Sequence, residues 1–333
     1  AQNTAQDNAK DVSWKLNLLS KTHENMLGYE KNNSALAYSI KTGQDLTVVP
    51  TNAILSGNPE AISALSKNIK SIHANNILNG TVGSLNPFST QQQSELKQFW
   101  EKAKPGDKLG LLTSIYKSSA GNANASRDMI NSIAGESGSY RLSASLNNRG
   151  LQDIAGQIVT GQDLIEKGLV KVDETGLTKH TETYLAGITS PGKPDFQIYL
   201  DSIKANYAYL VQKAEKVTDT KGNILNKTID EELFNRAAKN VTGGKFTSGG
   251  FFGSKSVVLR PHTVGEKAFR EQLESFNSRN ARNYGGSDKD FFLDLPLEQD
   301  PKNPYVYYFK NGSKYIMDAT DKKRQTRLTF KVR

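Results

Sequence analysis

The 333-residue chain contains no cysteine. That absence excludes disulfide frameworks, thiolate zinc sites and a cysteine nucleophile. Histidine is scarce too. His23, His73, His180 and His262 stand far apart, with no pair at helical spacing, so neither a metal centre nor any cofactor is expected. No apolar run approaches the ~18 residues of a membrane span, and the first ten residues have no signal-peptide core. The sequence opens on Ala1 rather than Met, as expected of a processed product or a fragment of something longer. Neither a Gly-x-Ser-x-Gly elbow nor a Gly-x-x-x-x-Gly-Lys-Ser/Thr phosphate loop occurs. Hydrophobic residues make up 36% and mean hydropathy is −0.58. These values are low for a compact enzyme and too high for wholesale disorder.

Asn, Ser, Lys and Gln are abundant, which suits large exposed areas and elongated helical pieces. The formal net charge is +9. A charge of that sign suits contact with nucleic acid or an anionic surface. Most of the lysines are dispersed, however, as on any basic soluble protein. The exception is the end of the chain, with Lys322, Lys323, Arg324, Arg327, Lys331 and Arg333.

Periodicity predicts a mainly α protein: an irregular stack of short helices with a small C-terminal antiparallel β element. Four segments are expected. Residues 1–85 form a helical or extended N-terminal segment, with a short helix near Val12 to Leu27. Residues 86–175 are helical, 176–243 hold the longest helix, and 244–333 form a small α+β region. Pro59 stands at a helix start, and Ile62, Leu65, Ile69 and Ile72 form an apolar stripe. Ser89 or Thr90, then Asp107, then Asn124 or Ser126 are expected caps of successive helices. Gly176 to Pro194 reads as a loop-rich joint. Asp195 to Val217 reads as the longest helix and Thr218 to Lys227 as a turn region. Thr228 with Glu231 forms a capping box for the next helix.

The last ninety or so residues begin with the glycine-rich run Gly243 to Gly253, read as a mobile connector. A strand is expected at Ser256 to Leu259, ended by Pro261, and then a helix after Gly265. Tyr305 to Lys310 and Ser313 to Asp318 are expected to pair around an Asn311-Gly312 turn, because both turn residues accept positive φ. Leu328 to Val332 adds a third strand. Tyrosines near Lys310, Lys314, Lys322, Lys323, Arg324 and Arg327 have the composition of a single-strand nucleic-acid groove. They equally suit a small sheet whose lysines guard its edges.

The motif order is "GQDLIEKG" (Gly161 to Gly168), "PDFQIYLDSIKANYAYLVQKA" (Pro194 to Ala214), "TIDEELFNRAAKNVTGGKFT" (Thr228 to Thr247), "VVLRPHTVGEKAFREQL" (Val257 to Leu273) and a terminal hairpin. Over roughly residues 86–333 this order resembles the C-terminal region of long virion proteins of tailed bacteriophages and prophages. Such proteins include internal or ejection proteins and tail-associated proteins, some with a lytic transglycosylase domain elsewhere in the chain. The resemblance implies a non-catalytic structural component of the particle. Its expected partners are other virion proteins and copies of itself, with DNA or an anionic surface as a further contact. Its expected location is the virion, and the host envelope during infection.

The resemblance also raises an enzymatic alternative. Lytic transglycosylases use a glutamate followed by Ser, and later a Gly-Leu-Met-Gln type segment. Here Gly135-Glu136-Ser137-Gly138 precedes Ala144-Ser145 and Gly150-Leu151-Gln152. Glu136 would be the general acid, in surroundings enclosed enough to keep it protonated. The interval is short, the Met is missing, and the later aromatic motifs are not evident. The competing reading is a Gly/Ser-rich turn with a solvated Glu136.

Overall fold

A computed structural model describes residues 34–214, 223–226, 228–249, 255–285, 290–300, 303–321, 323 and 325–333. The helix expected near Val12 to Leu27 lies outside these residues. Among the described residues the chain is mainly helical, with twelve α-helices and a few short strands. Contacts gather into two compact units, Ala1–Gly156 and Gln157–Arg333. The boundaries read from sequence at 85/86 and 175/176 lie inside these units.

The first unit runs through α1 (Ser34–Thr42), α2 (Thr51–Leu55), α3 (Pro59–Leu78), α4 (Thr90–Lys102), α5 (Pro105–Ser118), α6 (Ala123–Ala134) and α7 (Gly138–Asn148). The side chain of Asn58 accepts the Ala61 N–H at 3.0 Å and Pro59 opens α3. Leu65, Ile69 and Ile72 are buried on its inner stripe. Ser89 and Gln92 form a reciprocal capping box on α4. Asp107 does not cap α5 but lies in its first turn, because Pro105, with φ already fixed, starts the helix earlier. The cap of α6 is Asn122, whose Oδ1 accepts from both Asn124 and Ala125 N–H. Helix α5 is central and packs on α2, α3, α6 and α7. Its Leu111, Leu112 and Ile115 are fully buried.

Helix α8 (Gln152–Glu166) crosses into the second unit. There follow β1 (Val170–Val172), α9 (Glu174–Leu185), α10 (Pro194–Lys213), β2 (Ile224–Asn226) and α11 (Glu231–Thr242). The expected joint at Gly176 to Pro194 is therefore largely helix. Asp173 caps α9 through the Gly176 N–H, and Leu177, Thr181 and Leu185 form its buried stripe. The described part of Thr218 to Lys227 is the strand β2, which pairs parallel with β1. Asp230, not Thr228, caps α11, accepting the Leu233 N–H at 3.0 Å.

Close helix packing organises this unit. A Cβ on Gly161 would stand 1.7 Å from the Ala205 carbonyl oxygen, so α8 meets α10 backbone to backbone. Beside that contact an amide network joins three helices: Asn206 donates to Gln157 at 3.2 Å, and Asn240 donates to Gln157 at 3.3 Å and to Asn206 at 3.1 Å. The buried Tyr207 hydroxyl donates to Asn226 and accepts from the Asp230 N–H.

The glycine run is not a free connector where it is described. Gly243 ends α11 in the left-handed region, and a Cβ there would lie 2.2 Å from the Arg260 carbonyl oxygen. Lys245–Ser248 is strand β3, antiparallel to β4 (Ser256–Leu259). Positions 250–254 lie outside the described residues. The buried Arg260 guanidinium donates to the Lys245 and Val264 carbonyls, at 3.1 and 2.7 Å. His262 Nε2 lies 2.9 Å from the Asn240 carbonyl and 3.2 Å from that of Val241, in the last turn of α11.

Helix α12 (Glu266–Asn280) then packs on a sheet of β5 (Leu297–Asp300), β6 (Asn303–Asn311), β7 (Lys314–Tyr315) and β8 (Thr329–Lys331). Their shared core is aromatic. Phe269 packs on Phe246, Tyr307 and Phe330, and Phe276 stacks on Phe309. The hairpin turn is shifted by one residue from the expected Asn311-Gly312. Asn311 stays in the ladder opposite Lys314, leaving Gly312-Ser313 as the loop. The same register pairs Lys310 of β6 with Tyr315 of β7 on one face, with the Lys310 ammonium 5.1 Å from the Tyr315 ring.

The helix contact gives a paired prediction. Gly161→Ala is expected to destabilise the protein by about 1–3 kcal/mol or more, through forced separation of α8 and α10. Gly156→Ala, on the same helix with open space around it, is expected to be neutral or to stabilise by up to about 1 kcal/mol. Urea unfolding of the two variants checks the opposite signs.

Candidate functional site

The described residues bring chemistry together in two places. The first is a cleft of about 1040 Å³ in the first unit, between α1, the end of α3, the loop that follows it, and α6. Tyr38 and Lys41 enter from α1, Asn75 and Asn76 from α3, and Asp128 and Asn131 from α6. Asp128 is part of the wall itself. One carboxylate oxygen accepts the Leu85 N–H at 2.9 Å and the other takes Arg127 at 3.1 Å. Amides, a phenol, guanidinium groups and carboxylates dominate, so the cleft suits a polar, hydrogen-bonding ligand rather than an apolar one.

Glu136 lines this cleft together with Arg141. It lies at the joint where Gly135 ends α6 and Ser137 precedes α7. The side chain is exposed, so the enclosure asked of a general acid is not provided. The rest of the proposed motif is elsewhere: Ala144 is buried, and Gly150 and Leu151 form the turn into α8. Ser137 and Ser139 pair through their hydroxyls at 2.6 Å.

The second place is the outer face of the C-terminal sheet. Arg327 lies 3.8 Å above the Tyr315 ring and 5.4 Å from that of Tyr308. Lys310 bonds Glu298 at 2.6 Å. Tyr315 donates to Glu298 and Tyr308 to Asp300, each at 2.5 Å. Of the four basic residues singled out in the sequence, Arg327 is thus fixed on the sheet, Lys323 is exposed in the preceding loop, and Lys322 and Arg324 lie outside the described residues. That loop is held by Asp321, whose carboxylate accepts the Lys323, Gln325 and Thr326 N–H groups.

Electrostatics follow from this geometry. Burial pushes the Glu298 carboxyl up, but hydrogen bonds from Lys310 and Tyr315 and the nearby positive charges outweigh it, and the net shift is down. The hydrogen bond to Glu298 raises Lys310 and also Tyr315. The bond to Asp300 raises Tyr308. The ring faces a nucleic acid would stack on are partly covered by Arg327, and two carboxylates sit among the cations, which disfavours a phosphate backbone there. Neither composition nor charge clustering marks Glu298 and Asp300 in the sequence. Their period-two spacing, which places both on one face of a strand, is the signal that would have found them.

Among the described residues, no group of three His, Asp or Glu side chains is placed to hold a metal ion. No described helix is long and apolar enough to cross a membrane. No family model matches the chain, and neither a curated protein nor a solved structure does.

The Glu298 cluster gives a pH prediction. The folded carboxyl lies below its ordinary 4.5, so its contribution is present above that pH and is lost as pH falls through the lower folded value. Glu298→Gln is expected to shrink the loss of stability between about pH 5 and 3. Lys310, Tyr308 and Tyr315 are raised, so their contributions hold at neutral pH and are lost in alkali. Urea midpoints measured across pH for parent and variant check the acid limb.

Proposed function

We propose that this chain is a non-catalytic structural component of a tailed-phage particle, an internal, ejection or tail-associated virion protein that works through protein–protein assembly. The phage setting rests on the motif order across residues 86–333. The assembly role is carried by one structural observation, the concentration of exposed apolar side chains in residues 34–82. Leu36 and Ile40 stand one turn apart on α1, Ile77 and Leu78 end α3, and Val48 and Val82 lie in the loops after α1 and α3. Leu78 is 85% exposed and Ile77 66%. Helix α1 packs on α3, and Ile77, Leu78 and Val82 follow closely along the chain from the end of α3 into its loop. Such a surface is costly in water unless another protein covers it.

Native mass spectrometry of the purified chain is expected to show a homo-oligomer, and particle proteomics to find the chain in virions. Ile77→Glu with Val82→Glu is expected to weaken self-association at least tenfold while leaving the thermal midpoint near that of the parent. A chain that is monomeric at high micromolar concentration and absent from particles overturns the proposal.

A second reading rests on the cleft. The polar lining of the cleft and Glu136 at its edge support contact with a peptidoglycan strand, and catalysis as a virion lytic transglycosylase would require the bound strand itself to enclose Glu136. Its test is a peptidoglycan clearance assay with parent and Glu136→Gln. Clearance by the parent that falls at least a hundredfold in the variant supports catalysis. No clearance by the parent, or equal clearance by both, removes it.

A further inference from the structure

The sheet of the second unit has a free edge, and its backbone polarity can be read from the register. In an antiparallel ladder, hydrogen-bonded and non-hydrogen-bonded pairs alternate. The Val332 N–H donates to the Tyr305 carbonyl at 2.9 Å. Two residues along, Phe330 opposite Tyr307 is therefore a hydrogen-bonded pair as well. Lys331 opposite Val306 and Thr329 opposite Tyr308 are the intervening pairs, and their N–H and C=O groups point away from β6. Among the described residues no strand pairs with β8 on that outer side.

The outward groups of the next residue in this alternation are already read as a strand would read them. The side-chain amide of Gln272, on α12, accepts the Arg333 N–H at 2.8 Å and donates to the Arg333 carbonyl at 3.1 Å. One carboxamide there takes the place of one residue of a neighbouring strand. Beyond Gln272 the edge opens into a groove of about 700 Å³ between β8 and α12. Ala268 and Phe276, both partly buried, contribute its apolar surface over the buried Phe330, and Ser275 and Thr329 add hydroxyls. Arg279, Lys331 and Arg333 stand on its walls. The one carboxylate among the described lining residues, Glu271, lies 3.8 Å from Lys267 in an i, i+4 pair.

We propose that this groove binds an extended acidic segment of another protein, added as an extra strand along the outer edge of β8. Thr329 and Lys331 would give the segment up to four backbone hydrogen bonds, and Ala268 with Phe276 would take an alternate apolar side chain. The charges choose the partner. Edge lysines ordinarily discourage strand pairing. Here they select against a second copy of the same edge, since a two-fold antiparallel pair of β8 strands centred on Lys331 would set that lysine against its own counterpart. An acidic strand meets the same cations as complementary charge. The proposal is independent of the apolar surface of the first unit, and the two fail separately.

The test uses the full chain and a fluorescein-labelled eight-residue peptide of alternating valine and aspartate, with a valine–lysine peptide as control. The acidic peptide is expected to bind saturably, and hydrogen exchange is expected to slow at the Thr329 and Lys331 amides on binding. Lys331→Pro removes an outward N–H while sparing the ladder to β6; with a parental thermal midpoint, it is expected to lose at least tenfold in affinity. Arg279→Glu with Lys331→Glu keeps the backbone donors and is expected to reverse the preference toward the lysine peptide, which keeps the proposal testable if the proline variant unfolds. Equal binding of the two peptides by the parent overturns it, as does slowed exchange confined to other segments or unchanged affinity in a folded Lys331→Pro.

Discussion

The second unit depends on a buried cation held by backbone carbonyls. Arg260 is almost fully enclosed, and the partners that fix its fork are the carbonyls of Lys245 and Val264. Burying a guanidinium costs several kcal/mol unless charge-assisted bonds offset it. Those bonds require the chain to come very close, which is why Gly243 and Gly244 stand opposite. His262 completes the arrangement. Both of its carbonyl partners can only accept, so Nε2 carries the proton. It thereby serves carbonyls that a helix end leaves without intrahelical donors. The Arg-Pro-His run thus joins the end of α11 to the β3–β4 pair and to the start of α12.

The polar interior of the same unit follows a related logic. Gln157, Asn206 and Asn240 bond one another across three helices, and Tyr207 bridges β2 to the N-cap of α11. A network of this kind adds little net stability over an apolar replacement, but it penalises any register in which one member loses its partners. Gly161 adds a steric condition, because only a residue without Cβ lets α8 lie on Ala205. Together they specify which helices meet and at what height.

Much of the helical part was legible because its signals are local. The stripe of Leu65, Ile69 and Ile72, the Ser89–Gln92 box and the strand at Ser256 to Leu259 each depend on a few adjacent residues. What escaped depends on distant ones. Helix α9 carries Gly176 and a threonine in its buried stripe, so its pattern is weak until Leu177 and Leu185 find their neighbours. Strands β1 and β2 have three residues each and exist only through one another. The Gly312-Ser313 turn was missed by one residue because the strand register, not the Asn-Gly preference, decides where the ladder ends. The cleft is similarly non-local: Tyr38, Asn76, Asp128 and Glu136 meet only when α1, α3 and α6 are packed, and Glu136 alone was marked beforehand. On the sheet face, Arg327 was anticipated, whereas Glu298 and Asp300, which decide its electrostatics, were not.

The parallel pairing of β1 with β2 also constrains how the chain reaches this structure. Val170 meets Ile224 only after α9 and α10 have been laid between them. A tight turn cannot make a parallel pair, and closing so long a loop costs entropy before any ladder bond repays it. Such long-range parallel pairing is intrinsically slow compared with forming the local helices. Leu169, next to β1, is still 45% exposed in the finished fold, so even the completed ladder leaves that apolar side chain in water.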